Sequence, residues 1–326
     1  MKPCLVVSSD ARCSLVLVES PHAGRAAGGL PRARAALARA GFEVRETIPI
    51  GALDRLQPWL ALPAAERPLI VAGGGDGTVG AVADAVAHTD SVLGILPLGT
   101  SNDVARSLDI PLDLAQAVRL LAVGSVSTVD LGQFVAADGT PRHFIHAAAL
   151  GLNVAFARVA TRASVRKRLG RLTYMVAASA LLRHREAFAC ALSLDDAPQP
   201  LRVSLIHLSV MNAPVFGGFF GLRLPGSDVD DRRLDVLAIE DVPLSRLALA
   251  ALLIFLRRSP RVGGVRVYHA RRLRVHVDQP VEVSLDGELA GRAPGDFVLA
   301  GEALRVVTGP CFVDVDDLEA FLPPRA

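Results

Sequence analysis

The chain is poor in the residues that most often announce a binding mode. Aromatic side chains make up 5% of its 326 residues, with one Trp and two Tyr, and none interleaves with basic residues. That argues against a base-stacking platform for RNA or single-stranded DNA. A net charge of only +2 removes any strong field toward nucleic acid. Cysteine is sparse: Cys4, Cys13, Cys190 and Cys311 lie scattered without CxxC spacing, which argues against a zinc set or a disulfide framework and fits a reducing cytosol. The eight histidines show no metal-ligand spacing either. Long apolar runs are also missing. Residues 247–256 form the longest, bounded by Arg246 and Arg257-Arg258, and fall short of the roughly 20 residues that cross a bilayer. The first residues, Met1-Lys2-Pro3-Cys4-Leu5-Val6-Val7, lack the apolar core of a signal peptide. A soluble, cytoplasmic protein is therefore expected.

What the chain has in excess is glycine at one place. Gly73-Gly74-Gly75-Asp76-Gly77-Thr78 sets four glycines in five positions, directly after the apolar run Leu69-Ile70-Val71-Ala72. Glycines at the end of a strand let the backbone approach a bulky group and accept positive φ. Residues 79–88 then read as a helix, with Val82, Ala85 and Val86 on its apolar side. Strand, glycine turn and helix together direct backbone N–H groups toward phosphate oxygens. A plain turn is the competing reading of such a segment.

The flanking pattern supports a nucleotide-binding layer. Strands are predicted at 14–18, 42–44, 69–72 and 92–96, with helices at 30–40, 53–62, 103–108 and 114–123. Continuous apolar strands alternating with helices predict a parallel sheet covered on both faces, a Rossmann-like three-layer α/β domain. Ligands bind such sheets beyond the carboxyl ends of the strands, where the glycine segment lies. From residue 129 the texture changes to short β-like runs, at 129–134, 143–149, 201–210, 234–239, 273–277, 281–285 and 304–307. Two helical stretches interrupt them, at 169–182 and 243–256. This predicts an antiparallel β-sandwich. The division expected is an α/β domain over 1–130, rejoined by a helical tail at 311–326, and a sandwich domain over 131–310. No internal repeat or low-complexity linker separates them.

A second loop, Pro97-Leu98-Gly99-Thr100-Ser101-Asn102-Asp103, leaves the fourth strand and opens a helix. Its Thr, Ser, Asn and Asp are good N-caps, which accounts for them without any ligand. The functional reading places Thr100, Asn102 and the loop amides beside the glycine turn against one nucleotide.

These blocks resemble the diacylglycerol kinase catalytic family, whose fold is shared with sphingosine kinases and more distantly NAD kinases. The likeness runs from Gly74-Gly75-Asp76-Gly77-Thr78 and residues 97–106 through Val129-Asp130-Leu131-Gly132, Gly170-Arg171-Leu172-Thr173-Tyr174 and residues 212–218. It ends with Asp231-Arg232-Arg233-Leu234-Asp235-Val236 and Leu285-Asp286-Gly287-Glu288. The resemblance implies an ATP- and Mg²⁺-dependent kinase that phosphorylates a lipid hydroxyl, diacylglycerol-like or sphingoid, at the membrane face. It implies a nucleotide held by Gly74, Gly75, Asp76, Gly77 and Thr78, with Thr100 and Asn102, and by Ser20 and Gly24 of an early loop. It also implies a general base from the last block, Glu288 before Asp286, with Asp76 a rival. A structural Mg²⁺ would be held by the aspartate matched by Asp231 and carbonyls matched by Asp228 and Arg233. The loop is not a Walker A segment, since no Gly-Lys-Ser/Thr follows it, so cations must come from elsewhere; Arg25, Arg166, Lys167 and Arg171 are candidates.

Departures from the family pattern occur at four places, none of them at Asp76, Gly77, Thr78 or Glu288. Ser20-Pro21-His22-Ala23-Gly24 replaces an Asn-Pro-x-Ser-Gly loop, Ser101 stands for a glycine, His146 for an asparagine, and Arg232 for the glycine after the metal-site aspartate. His146 is expected to be structural. Two alternatives stay open at this level: a kinase for a soluble acceptor such as NAD or a small polyol, and a nucleotide-binding regulator without catalysis. A homodimer is allowed but not specified.

Overall fold

The computed structural model describes residues 14–20, 29–152, 186–195, 197–216, 222–223, 232–256 and 263–312. The helices expected at 169–182 and in the tail, and the candidates Gly24, Arg25, Arg166, Lys167, Arg171, Asp228 and Asp231, lie outside these residues. The α/β layer forms as the sequence pattern requires. Strands β1 (Ser14–Glu19), β2 (Glu43–Pro49), β3 (Leu69–Gly74) and β4 (Val92–Pro97) pair in parallel in the order β2-β1-β3-β4. Leu15, Val16, Leu17 and Val18 are all fully buried, the mark of a strand covered on both faces. Helices α1 (Gly29–Arg39), α2 (Gln57–Leu60), α3 (Asp76–Val86), α4 (Asp103–Ser107) and α5 (Leu114–Val123) follow the strands. Asp113 caps α5 by accepting the Gln116 N–H at 3.0 Å. The weakly helical stretch at 53–62 is mostly a 3₁₀ helix, Ile50–Leu56, before the single turn of α2.

The remaining strands build the sandwich. They are β5 (Ser125–Ala136), β6 (Pro141–Phe144), β7 (Ala147–Gly151), β8 (Phe188–Leu194), β9 (Leu201–Met211), the short β10 (Val215–Phe216) and β11 (Leu222–Arg223), β12 (Leu234–Glu240), β13 (Val265–Ala270), β14 (Arg272–Val277), β15 (Val281–Leu285), β16 (Glu288–Ala293) and β17 (Gly295–Thr308). A second apolar core lies between them, built on Phe134, Phe144, Phe297, Leu205, Leu273 and Val283, with the Phe134 and Phe297 rings stacked 4.8 Å apart. Helix α6 (Leu244–Phe255) packs Leu247 and Ala250 on the outer face of β9, β12 and β13.

Two long strands weld the halves. β5 and β17 pair antiparallel over their lengths, β17 begins against β14 in the sandwich, and its Arg305 and Val306 end parallel to Val92 and Leu93 of β4. Fifteen strands thus form one hydrogen-bonded sheet. The division expected at residue 130 falls inside β5, and Leu304, Val306 and Val307 belong to the N-terminal core rather than the sandwich core. A further tie joins α3 to the ribbon: Asp84 Oδ1 accepts both the His143 N–H (2.8 Å) and Nδ1–H (2.9 Å). Burial raises the Asp84 carboxyl, but these bonds outweigh it and hold the group below its usual value.

Candidate active site

The two loops of the α/β layer meet backbone to backbone. A Cβ placed on Gly99 would lie 2.4 Å from the Gly75 Cα, and one on Gly75 would lie 3.1 Å from the Gly99 Cα. Gly99 has no room for a side chain and Gly75 has little, so glycine is set here by contact rather than by φ. The Leu98 N–H donates to the Gly74 carbonyl at 2.8 Å, extending the β3–β4 ladder into the loops. Polar side chains expected to face a ligand are used to fasten the cradle. Asn102, buried and left-handed at φ 52°, accepts the Gly99 N–H at 2.9 Å and donates to the Gly99 carbonyl at 3.1 Å. Asp76 Oδ1 accepts the Val104 N–H at 2.9 Å and so clamps α3 to the start of α4. Thr78 is buried and folds back on its loop, its Oγ1 2.3 Å from where a Cβ on Gly74 would stand. Thr100 remains exposed at the crest, and Ser20 follows β1 beside the Gly73 end of β3.

Across from this cradle stands the β15–β16 hairpin. Leu285 pairs with Glu288, leaving Asp286 and Gly287 as a two-residue turn at φ 50° and 91°. Positive φ at both central residues defines the type I′ turn that Asp-Gly favours. The turn thus coincides with the Asp286-Gly287-Glu288 block that the family resemblance marks. Asp286 is buried and spends its carboxylate on three successive backbone N–H groups: Oδ2 accepts Ile145 (3.0 Å), and Oδ1 accepts His146 (2.9 Å) and Ala147 (3.0 Å). Burial pushes the Asp286 carboxyl up, against the pull of the His146 imidazole and these N–H groups. Gly80 on α3 makes room for it, since a Cβ there would fall 2.1 Å from Asp286 Oδ2. Glu288, next but one, is exposed, and its Oε1 lies 3.5 Å from a Cβ position on Gly77. The structure thus brings Glu288 to the glycine loop and withdraws Asp286 from solvent.

His146 is the joint behind the turn. Its N–H serves Asp286, its carbonyl accepts the N–H groups of Asn212 (2.9 Å) and Ala213 (3.2 Å), and its Nε2–H donates to the Val215 carbonyl at 2.9 Å. Asn212 in turn donates to the Asp130 and Ile145 carbonyls at 2.9 and 3.1 Å. The sequence reading did not single out Gly80 or the amides of residues 145–147 as site residues. A glycine inside a predicted helix was the one local hint of Gly80, because it weakens a helix unless something must approach closely.

Of the expected metal set, Arg233 is described and is exposed at the start of β12. Its neighbour Arg232 sits at φ 56°, the left-handed conformation that glycine adopts without strain. The departure from glycine at Arg232 thus falls where the backbone itself is left-handed. Among the described residues, no group of three or more His, Cys, Asp or Glu clusters as a metal site.

A side-chain-free cradle at the carboxyl end of a parallel sheet, faced by an exposed carboxylate from a β-sandwich, defines a two-part phosphotransferase fold. The diacylglycerol kinase catalytic domain profile matches residues 14–134, and that of the YegS C-terminal NAD kinase beta sandwich-like domain matches residues 147–308. A diacylglycerol kinase of Mycobacterium tuberculosis is 30% identical over 276 residues, covering 84% of this chain and 87% of the relative. A diacylglycerol kinase of Bacillus subtilis is 28% identical over 247 residues, covering 74% and 78%. The crystal structure of a diacylglycerol kinase from Bacillus anthracis superposes over 92% of this chain and 98% of its own, with a TM-score of 0.65 at 19% identity. The chain belongs to the diacylglycerol kinase catalytic family and is a kinase with an alcohol group as acceptor.

Proposed function

We propose that this chain transfers the γ-phosphate of ATP, with Mg²⁺, to the hydroxyl of a diacylglycerol-like lipid. The observation that carries the reading is the approach of Glu288 to Gly77 across the mouth of a cradle cleared of side chains. The names of the relatives supply the acceptor class. Bound Mg²⁺ would neutralise phosphate charge, and the residues at hand fit it: Asp76 keeps a second carboxylate oxygen, Oδ2, at the helix start. The loop amides at Gly75 and Gly77 and the N-terminus of α3 orient the phosphates. Glu288 takes the proton of the acceptor hydroxyl as the acceptor oxygen bonds to the γ-phosphorus and the bond from phosphorus to the ADP oxygen breaks. Asp286 is assigned to positioning: by gripping residues 145–147 it fixes the turn from which Glu288 projects.

The test is incubation of the purified chain with radiolabelled ATP and Mg²⁺ against extracted lipids and, separately, soluble metabolites including NAD. Label in the lipid fraction, abolished in Glu288→Gln, is the expected result. Label confined to soluble acceptors, or no turnover by either protein on any acceptor, overturns the proposal.

A further inference from the structure

Helix α6 is apolar on two sides. Its inner side, Leu247 and Ala250, packs on Met211, Leu237 and Val265. On its outer side Leu249, Leu252 and Leu256 follow at i, i+3 and i+7, one helical stripe, with exposures of 48%, 52% and 52%, and Leu244 at its start is 47% exposed. Among the described residues seven large hydrophobics are exposed; three of them belong to this one element and a fourth, Leu256, directly follows it. Scattered exposed leucines need no cause, but a concentrated stripe marks a surface that meets something apolar.

The surrounding charge says what. Between Asp241 and Asp278 the sequence contains no acidic residue and eight arginines. Arg266 pairs with Glu240 at 2.9 Å, and Arg272 and Arg274 pair with Asp296, but Arg246 is exposed on the helix itself and Arg257, Arg258 and Arg261 follow it in the sequence. An apolar stripe bounded by these arginines suits neither a neutral protein groove nor a basic partner; it suits the head-group boundary of an anionic bilayer. The position is apt as well. The sheet face under α6 includes Ala147, whose N–H grips Asp286, so the covered face leads to the turn that carries Glu288. No described helix is long and apolar enough to cross a membrane, so the contact would be one of lying on the surface.

We propose that α6 is the membrane-docking element of this chain, seating Leu249, Leu252 and Leu256 in anionic lipid so that the acceptor is taken from the bilayer. This rests on the lipid-kinase reading above. The test compares the full-length chain with Leu249→Glu/Leu252→Glu/Leu256→Glu, checked for fold by circular dichroism, and with the milder Leu252→Ser alone. Sedimentation with phosphatidylglycerol/phosphatidylcholine vesicles should show partitioning that falls roughly hundredfold in the triple variant and several-fold in Leu252→Ser. Wild type should bind pure phosphatidylcholine vesicles much more weakly. Phosphorylation of long-chain diacylglycerol in those vesicles should fall in parallel, while that of a short-chain, monomeric diacylglycerol stays unchanged. Equal vesicle binding by wild type and Leu252→Ser, or a wild-type dimer that light scattering shows reduced to monomer in that variant, would overturn the docking proposal. Absence of activity on the short-chain substrate in wild type would instead strike the lipid-kinase reading itself.

Discussion

The two walls of the cleft use their side chains in opposite ways. On the α/β side, Thr78 and Asn102 point back into their own loops and Asp76 spends one carboxylate oxygen on the Val104 N–H of α4, leaving mostly bare backbone at the surface. On the sandwich side one carboxylate, Asp286, is buried on three amides so that the next, Glu288, stands exposed at the mouth. A binding wall for phosphate needs amides and a fixed shape, so its polar side chains serve as fasteners. A wall that must move a proton needs one reachable base on a rigid support. Motif residues are thus of two kinds, and their mutants should separate.

The sharpest break in this comparison is Glu288→Gln. Removing the proposed base should lower kcat by roughly 10²–10⁴-fold. The melting temperature should not move, because Glu288 is exposed and makes no buried bond. If turnover survives at near wild-type level, the base lies on the glycine wall and the division of labour fails.

Next in size is an effect confined to the sandwich. His207 is buried, donates Nδ1–H to the Leu150 carbonyl at 3.0 Å and accepts the Ser209 hydroxyl at 2.9 Å, an arrangement only the neutral ring can make. Burial pushes its pKa down from 6.5 to about 4, against the Leu150 bond. The folded value is depressed, so the unfolded chain takes up the proton first as pH falls. Stability is full above pH 6.5 and is lost between 6.5 and about 4, by about 3 kcal/mol. Denaturant unfolding at pH 7.0 and 4.5 measures it, and His207→Gln should flatten that limb. A limb that stays as steep in the variant would shift the cause to other titrating groups.

A glycine pair sharpens the comparison directly. Gly99→Ala drives a Cβ against the other loop, and Gly80→Ala drives one into Asp286. Each should cost about 1–3 kcal/mol of stability through overpacking. The kinetic signatures should differ: Gly99→Ala raises KM for nucleotide, whereas Gly80→Ala lowers kcat with nucleotide binding kept. Isothermal titration with a nonhydrolysable ATP analogue and steady-state kinetics separate the two, and identical signatures would dissolve the distinction.

Much of this was legible because local chemistry agreed with the fold. The strands at 14–18, 69–72 and 92–96 declare themselves as unbroken apolar runs, and helix α5 appears at the 114–123 expected of it, capped by Asp113. Asp286-Gly287 is readable as a turn and as a family motif, and it is both. Besides the two-residue β10 and β11 and most of β6, three strands escaped for identifiable reasons. In β16, Glu-Leu-Ala-Gly-Arg-Ala has no β-branched residue and forms by pairing with β15. Strand β8 is rich in alanine, and β13 carries arginine, tyrosine and histidine on a partly exposed ladder. The grip of Asp286 on residues 145–147 spans about 140 positions, and no local pattern encodes such a distance. Nor does a motif reveal which way Asn102 points; that is settled by the contact of Gly75 with Gly99.

The smallest effect tests whether the sandwich wall has kept its loop geometry at the one position where the sequence departs from glycine. Arg232 holds φ 56°, where a Cβ costs an L-residue about 1 kcal/mol or more. The conformation has a local cause: it turns the Arg232 N–H toward the Asp130 carboxylate, which also takes the Glu302 N–H at 2.8 Å. Burial pushes the Asp130 carboxyl up, and those two N–H groups oppose it. Arg232→Gly keeps both backbone bonds and removes the strain. It forfeits the side chain's pairing with Glu302 at 3.9 Å, an exposed contact worth little. The unfolded chain gains freedom in exchange, by about 0.5–1 kcal/mol. The sum lies within about 1 kcal/mol of zero on the stabilising side, a rise in melting temperature of at most a few degrees. Arg232→Val, with a β-branched side chain in the same left-handed position, should lie clearly below wild type. If glycine destabilises as much as valine, the arginine side chain rather than the turn holds this corner of the sandwich.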